Sequence, residues 1–128
     1  MKKELELVSD FHKAFGQTYA NKPGLISDKE GLLRYTLITE ESIEYLDAVI
    51  NKDLVGISDA LGDQLYILLG TIIKHGLQHK IEEVFKEIHR SNMSKLDENG
   101  QPILRPDGKI LKSSNYFKPN IQRILTTL

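Results

Sequence analysis

Two long helical patterns in the middle of the chain are separated by only two turn residues, Asn51 and Lys52. This spacing restricts the fold more than any other feature. The first pattern runs from about Asp28 to Ile50, opened by Ser27 as an N-cap, with Glu30 three residues later to complete a capping box. The second is capped by Asn51 or Asp53 and continues to about Lys74, where His75-Gly76 ends it. Gly76 suits a left-handed C-terminal cap. Helices joined by so short a link become antiparallel neighbours.

Two further helices are expected. Leu5, Val8, Phe11, Ala14 and Phe15 recur at helical spacing between Glu4 and about Gln17, before Asn21-Lys22-Pro23-Gly24 breaks the chain. Ile81, Val84, Phe85 and Ile88 form one stripe between about Lys80 and Met93. Beyond Lys95 the pattern changes, and two apolar-basic arms around Pro106-Asp107-Gly108 read as a short hairpin or extended tail. The expectation is an all-α four-helix bundle in a single domain over 1–128, with the bundle at about 3–94 and a basic tail at about 95–128. The stretch Leu65–Ile73 is apolar nearly all round. Such a helix is buried by its own chain or by another subunit, and a dimer is the favoured reading.

The composition excludes several classes. With no cysteine, disulfides, thiolate metal sites and cysteine nucleophiles are absent. A net charge of -1 gives no electrostatic reason to expect nucleic-acid binding. The N-terminus lacks the apolar block of a signal peptide, and no apolar run reaches the roughly 18 residues of a membrane span. A soluble cytoplasmic protein is the expectation. The charge is unevenly spread: residues 28–63 hold nine acidic and three basic groups, while 95–118 hold five basic and three acidic. An acidic centre with a basic tail suits a metal-plus-phosphate site. Solvated helix faces would give the same asymmetry.

Five carboxylates stand out within the paired helices: Glu40, Glu41 and Glu44 on the first, Asp59 and Asp63 on the second. Residues three or four apart share a helix face, so Glu41/Glu44 and Asp59/Asp63 form two acidic pairs that an antiparallel hairpin can bring together. Facing carboxylates repel, and at least one resists ionising. They suit a hard divalent cation, which takes oxygen ligands. On spacing alone a metal site and a solvated acidic face both remain open. Arg34 lies one helical face from these acids, to contact phosphate or to pair with Glu30 or Glu41. Arg90, Asn92 and Lys95 read on spacing as a polar helix end whose basic groups offset the helix dipole. Lys109 and Lys112 are loop lysines, and the histidines read as structural or surface residues.

The ordered set E-E-x-x-E (40–44), D-A-L-G-D-Q-L-Y (59–66), H-R-S-N-M-S-K (89–95) and D-G-K-I-L-K-x-x-x-Y-F-x-P (107–119) resembles the all-α nucleoside triphosphate pyrophosphohydrolases, the MazG-like superfamily. That superfamily includes dimeric dUTPases and phosphoribosyl-ATP pyrophosphohydrolase. The resemblance spans roughly Phe11 to Ile121. It implies a four-helix, usually dimeric fold and Mg²⁺-dependent cleavage between the α- and β-phosphates, releasing a nucleoside monophosphate and pyrophosphate. Mn²⁺ is the alternative metal, and a homodimer or homotetramer the expected assembly.

By position, the resemblance makes Glu41 and Glu44 the first ligand pair and Asp63 the final aspartate. The common pattern E-x-x-D is broken by Ala60, so the fourth carboxylate is Asp59, as in a branch reading D-A-L-x-D. Glu40 or Glu41 is placed to take a proton from an attacking water. The resemblance also makes the 89–95 segment substrate-facing, with Asn92 bonding sugar or base, Lys95 a phosphate, and Arg90, Lys109 and Lys112 as further candidate contacts; Arg34 is a candidate phosphate contact by its position alone. The tail from Lys95 to Pro119 is then expected to close over the nucleotide, or else to be stapled to the bundle by Ile103, Leu104, Ile110, Leu111, Tyr116 and Phe117. The rival readings are phosphoribosyl-ATP hydrolysis in histidine biosynthesis and a helical module that binds metal or nucleotide without turnover.

Overall fold

The computed structural model describes residues 1–127. Helices α1 (Lys2–Ala14), α2 (Asp28–Ile50), α3 (Leu54–Lys74) and α4 (Ile81–Met93) are followed by strands β1 (Ile103–Leu104) and β2 (Ile110–Leu111) and a short helix α5 (Ile121–Thr126). The fold is all-α apart from this two-stranded hairpin, and none of these helices is long and apolar enough to cross a membrane. The chain divides into two compact units, Met1–His79 and a second that begins at Lys80.

In the first unit α3 packs against both α2 and α1. Its core is aliphatic and small: Leu5 and Val8 from α1, Ala48 from α2, and Ala60, Leu69, Ile72 and Ile73 from α3. Local signals set the helix ends. Ser27 Oγ accepts from the Glu30 amide at 3.1 Å. The expected reciprocal bond of the capping box is not made, because Glu30 turns its carboxylate to Thr18 and Lys74. Between α2 and α3, Lys52 takes a positive φ of 53°, and Asp53 caps α3 by accepting from the Gly56 amide at 3.0 Å. The Asp53 and Lys52 amides donate to the carbonyls of Ala48 and Val49, which closes the end of α2.

Helices α1 and α3 end in the same way, each with a left-handed glycine. Gly16 has φ 66° and stops α1 three residues before the expected end at Gln17. Gly76 has φ 68°, and the following amide, that of Leu77, donates to the Ile72 carbonyl at 3.0 Å.

In the second unit α4 contacts α5, and β1 pairs antiparallel with β2 in the register Ile103↔Leu111 and Leu104↔Ile110. The Pro106-Asp107-Gly108 turn is held by Arg105, whose Nη2 lies 2.5 Å from Asp107 Oδ2. The tail is stitched to the end of α4 by hydroxyls. Ser91 Oγ donates to the Phe117 carbonyl at 2.7 Å, Ser94 Oγ accepts from the Phe117 amide at 3.1 Å, and Ser113 Oγ donates to the Leu96 carbonyl at 2.7 Å. Helix α5 was not expected. Its six residues are too few to show a period, although Asn120, which accepts from the Arg123 amide, is an ordinary cap.

The two left-handed glycines make opposite predictions for one substitution. A Cβ at Gly76 would stand 1.9 Å from the Lys22 carbonyl oxygen, whereas nothing among the described residues lies within 4 Å of one at Gly16. Gly16→Ala should cost about 1–2 kcal/mol, the conformational penalty alone. Gly76→Ala should exceed about 3 kcal/mol because the Asn21–Gly24 loop must also shift. Urea denaturation of both variants checks this, and equal costs would mean that the loop does not pack on the end of α3.

Candidate metal and active site

The antiparallel α2–α3 hairpin brings the two acidic pairs together. One carboxylate oxygen each from Glu41, Glu44 and Asp63 lies within 4.8 Å of the others. Asp59 is outside that group of three, one turn earlier on α3, but its charge is among those that act on Glu41. Glu40 points to solvent beside the cluster. Gln64 and Ser42, the residues following Asp63 and Glu41, join the two helices here through an Nε2–Oγ hydrogen bond of 2.9 Å. Glu44, Asp59 and Asp63 are exposed and Glu41 is half-buried, so the cluster opens to solvent on one side.

Glu41 bears the strain of this arrangement. Its pKa is pushed from 4.5 to about 7, first by desolvation, then by a hydrogen bond to Glu44 and by the charges of Glu44, Asp63 and Asp59. Its Oε2 is buried and has no hydrogen-bond partner among the described residues. A buried acceptor left unpaired is costly, and cation coordination would satisfy it. All the groups gathered here are hard oxygen donors, the set that Mg²⁺ or Mn²⁺ takes. Glu41, Glu44 and Asp63 therefore fit a divalent ion, with Asp59 near enough to add charge.

The other candidate residues are distributed differently. Arg34 is buried in the first unit, donating from Nε to Thr71 Oγ1 at 3.0 Å and from Nη2 to the Ile67 carbonyl at 2.8 Å. Its charge faces α3 rather than Glu30 or Glu41. In the second unit Arg90 donates twice to Glu87, at 3.1 and 2.9 Å, and stacks on Phe117 at 4.3 Å from the ring centroid. Those bonds, with one from the Asn120 amide, hold the Glu87 carboxyl down at about 2. Asn92 is exposed and Lys95 half-buried at the end of α4. Lys109 and Lys112 project from the hairpin region, the latter 4.7 Å from the Tyr116 ring centroid. Within the H-R-S-N-M-S-K segment, Arg90, Ser91 and Ser94 are thus engaged in holding the tail, which leaves His89, Asn92 and Lys95 as its polar side chains without a partner among the described residues.

Sequence reading missed the Ser42–Gln64 bond and the role of Thr71. The adjacency of Ser42 to Glu41 and of Gln64 to Asp63 was the available signal. His12, taken only as structural or surface, is wholly buried, with Nδ1 3.3 Å from the Thr18 carbonyl.

These shifts give the protein a pH signature. Between pH 4.5 and about 7 the folded state holds a proton on Glu41 that the unfolded state has lost. This contribution to stability is complete below pH 4.5 and disappears as pH rises through about 7. Glu87 acts in the opposite direction and in another window: its contribution is present above pH 4.5 and lost as pH falls toward about 2. Burial lowers the pKa of His12 below 6.5, so its contribution is present above pH 6.5 and falls away on acidification, opposing Glu41. Thermal melts in chelator from pH 3 to 8 should therefore show Glu41→Gln stabilised relative to wild type at pH 8 but not at pH 4. Glu87→Gln should show its full deficit near neutrality and a smaller one at pH 3. A pH-independent difference between Glu41→Gln and wild type would refute the raised pKa.

The profile of the phosphoribosyl-ATP pyrophosphohydrolase family matches residues 8–92, a span that includes Glu41, Glu44, Asp59 and Asp63. No functionally curated protein matches the chain. Among solved structures, a candidate NTP pyrophosphohydrolase from Exiguobacterium sp. 255-15 is similar at 26% identity and a TM-score of 0.53, over 95% of this chain and 93% of that one. An all-α fold, an acidic cluster across a helical hairpin and a family profile over most of the chain agree, and the chain belongs to the phosphoribosyl-ATP pyrophosphohydrolase family.

Proposed function

We propose that this protein is a Mg²⁺-dependent nucleoside triphosphate pyrophosphohydrolase that releases pyrophosphate and leaves the nucleoside monophosphate. The observation that carries the reading is the convergence of Glu41, Glu44 and Asp63 around a buried, unpaired Glu41 oxygen. These residues, with Asp59 beside them, would hold the ion, which would supply neutralisation of phosphate oxygens and acidification of water. In the reaction the water oxygen bonds to phosphorus while the bridging P–O bond breaks, and pyrophosphate departs with the bonding electrons. Glu41 or Glu40 takes the water's proton. Asn92 and Lys95 are candidate nucleotide contacts. The NTP assignment draws on the Exiguobacterium neighbour, which matches nearly the whole chain, tail included.

Phosphoribosyl-ATP is the second candidate substrate, favoured by the family profile itself. Both reactions release pyrophosphate, so one panel separates them: ribo- and deoxynucleoside triphosphates and phosphoribosyl-ATP, each with Mg²⁺ and Mn²⁺. Pyrophosphate from triphosphates is the expected result. Release from phosphoribosyl-ATP alone would select the second reading, and none from any substrate would defeat both. Glu44→Gln and Asp63→Asn should lower turnover by at least about 100-fold while the metal-free protein remains folded, because each removes a repelling charge.

A homodimer is the assembly proposed with this function. The outward sides of α2 and α3 carry exposed Ile43, Leu46, Ile50, Leu61, Leu65 and Leu68, the last two 48% accessible within the segment expected to be buried all round. Exposed aliphatic residues at helical spacing on both helices support an interface there. Sedimentation at micromolar concentration should give a dimer or larger species, and Leu65→Glu should shift it toward monomer. A monomeric wild type would rule the assembly out.

A further inference from the structure

The metal reading requires three carboxylates to be held together before any cation offsets their repulsion. An aliphatic seam between two helices resists separation better than axial sliding, and a slide of one residue moves a ligand by about 1.5 Å. Mg²⁺ demands near-ideal octahedral geometry, so displacement on that scale would spoil the site. Something other than apolar packing has to set the register.

Two polar cross-links between α2 and α3 can do so. One is the exposed Ser42–Gln64 bond, next to the acids. The other is buried. Arg34 lies seven residues before Glu41, two turns or about 10.5 Å along α2. Its guanidinium reaches across to the Ile67 carbonyl at 2.8 Å and to Thr71 Oγ1 at 3.0 Å, while Thr71 Oγ1 itself donates to the Ile67 carbonyl at 2.8 Å. Ile67 is one turn beyond Asp63, on the strip of α3 that faces Arg34 and Glu41 in antiparallel register.

The site is shaped for this clamp. A Cβ at Gly70 would stand 2.7 Å from Arg34 Nη2 and 2.9 Å from His12 Nε2, so only a residue without a side chain lets the guanidinium lie against α3. With His12 Nδ1–H donating to the Thr18 carbonyl, its Nε2 turns an acceptor toward the same place. Arg34 is 7% exposed, and its hydrogen bonds go to the neighbouring helix. A forked, planar donor that spans two acceptors fixes both translation and rotation, which a lysine cannot do.

We infer that Arg34 is a positioning residue for the acidic site, setting the α2–α3 register through Ile67 and Thr71 so that Glu41 and Glu44 meet Asp63. This role rests on the metal reading proposed above and separates from the phosphate contact first expected of Arg34. The test is Mn²⁺ affinity, followed by electron paramagnetic resonance of the free ion, in wild type, Arg34→Met, Arg34→Lys, Thr71→Val and the Arg34→Met/Thr71→Val double variant. Arg34→Met should weaken Mn²⁺ binding by about 10–100-fold, the usual effect of losing a group that orients ligands. Arg34→Lys should recover only part of it. Thr71→Val should weaken it less, and the double variant should be no weaker than Arg34→Met alone.

Leu5→Ala supplies the control, because it opens a cavity under α1 and lowers the melting temperature without touching the clamp. Its Mn²⁺ affinity should match wild type, and equal loss there would reduce Arg34 to general stability. Unchanged Mn²⁺ affinity in Arg34→Met with a raised KM would make Arg34 a substrate contact and overturn the proposal, as would additive effects of Arg34→Met and Thr71→Val. Should Arg34→Met fail to fold, Thr71→Val and Arg34→Lys decide the matter. A wild type that binds Mn²⁺ but hydrolyses no nucleotide defeats the proposed function and leaves this role standing. One that binds no Mn²⁺ defeats both.

Discussion

Electrostatic repulsion among Glu41, Glu44, Asp59 and Asp63 is the constraint around which the first unit is arranged. Across the hairpin their charges push the Glu and Asp side chains apart. They meet because their helices are joined by only three residues and so lie antiparallel, and because the ends of the helices are tightly specified. Lys52 accepts a left-handed conformation, Asp53 caps α3, and the last carbonyls of α2 are satisfied within the turn. Close packing of Ala48 against the start of α3 tightens the hairpin near its turn, where a Cβ at Gly56 would meet the Ala48 side chain at 3.2 Å. The cost of the acidic cluster is thus carried by local backbone chemistry some way from it.

Charge is placed with the same economy elsewhere in that unit. Among the described residues no carboxylate lies against the buried Arg34, and its charge is dispersed over a hydroxyl and a helix carbonyl. Pairing it with Glu41 would have neutralised one member of the acidic group and lowered the pKa that is now raised to about 7. Keeping cation and anions two turns apart preserves a site with excess negative charge, which is the state a divalent cation requires. In the second unit the logic is reversed: Glu87 and Arg90 are paired directly, and the pair secures the tail through Asn120 and Phe117.

Much of this was legible before the structure. The ends of α2 and the stop at Gly76 follow from Ser27, Asn51-Lys52 and His75-Gly76, since capping is local chemistry. The meeting of Glu41, Glu44 and Asp63 follows from helical periodicity plus a short link. What was not legible depends on third parties. Glu30 was expected to close its own capping box, but Thr18 and Lys74 from neighbouring segments offered it better partners. Arg34 could be assigned from sequence to a phosphate or to an acid because both are attractive to a cation. Its actual acceptors are a carbonyl and a hydroxyl, which carry no charge for a sequence pattern to reveal. The six residues of α5 are too few for periodicity to speak.

The segment Leu65–Ile73 shows where sequence and structure must be read together. Its composition says that water should be excluded from every side, yet Leu65 and Leu68 are open while Leu69, Ile72 and Ile73 are buried. Both are true of one helix if the inner side faces its own unit and the outer side awaits another surface. That arrangement would bear on the acids as well. Asp63 is two residues from Leu65 and Glu41 two residues from Ile43, so a second chain lying on those apolar residues would also lower the dielectric around the carboxylates. Assembly would then raise the penalty on the bare cluster and strengthen its demand for a cation, coupling subunit association to metal affinity through a shared strip of two helices.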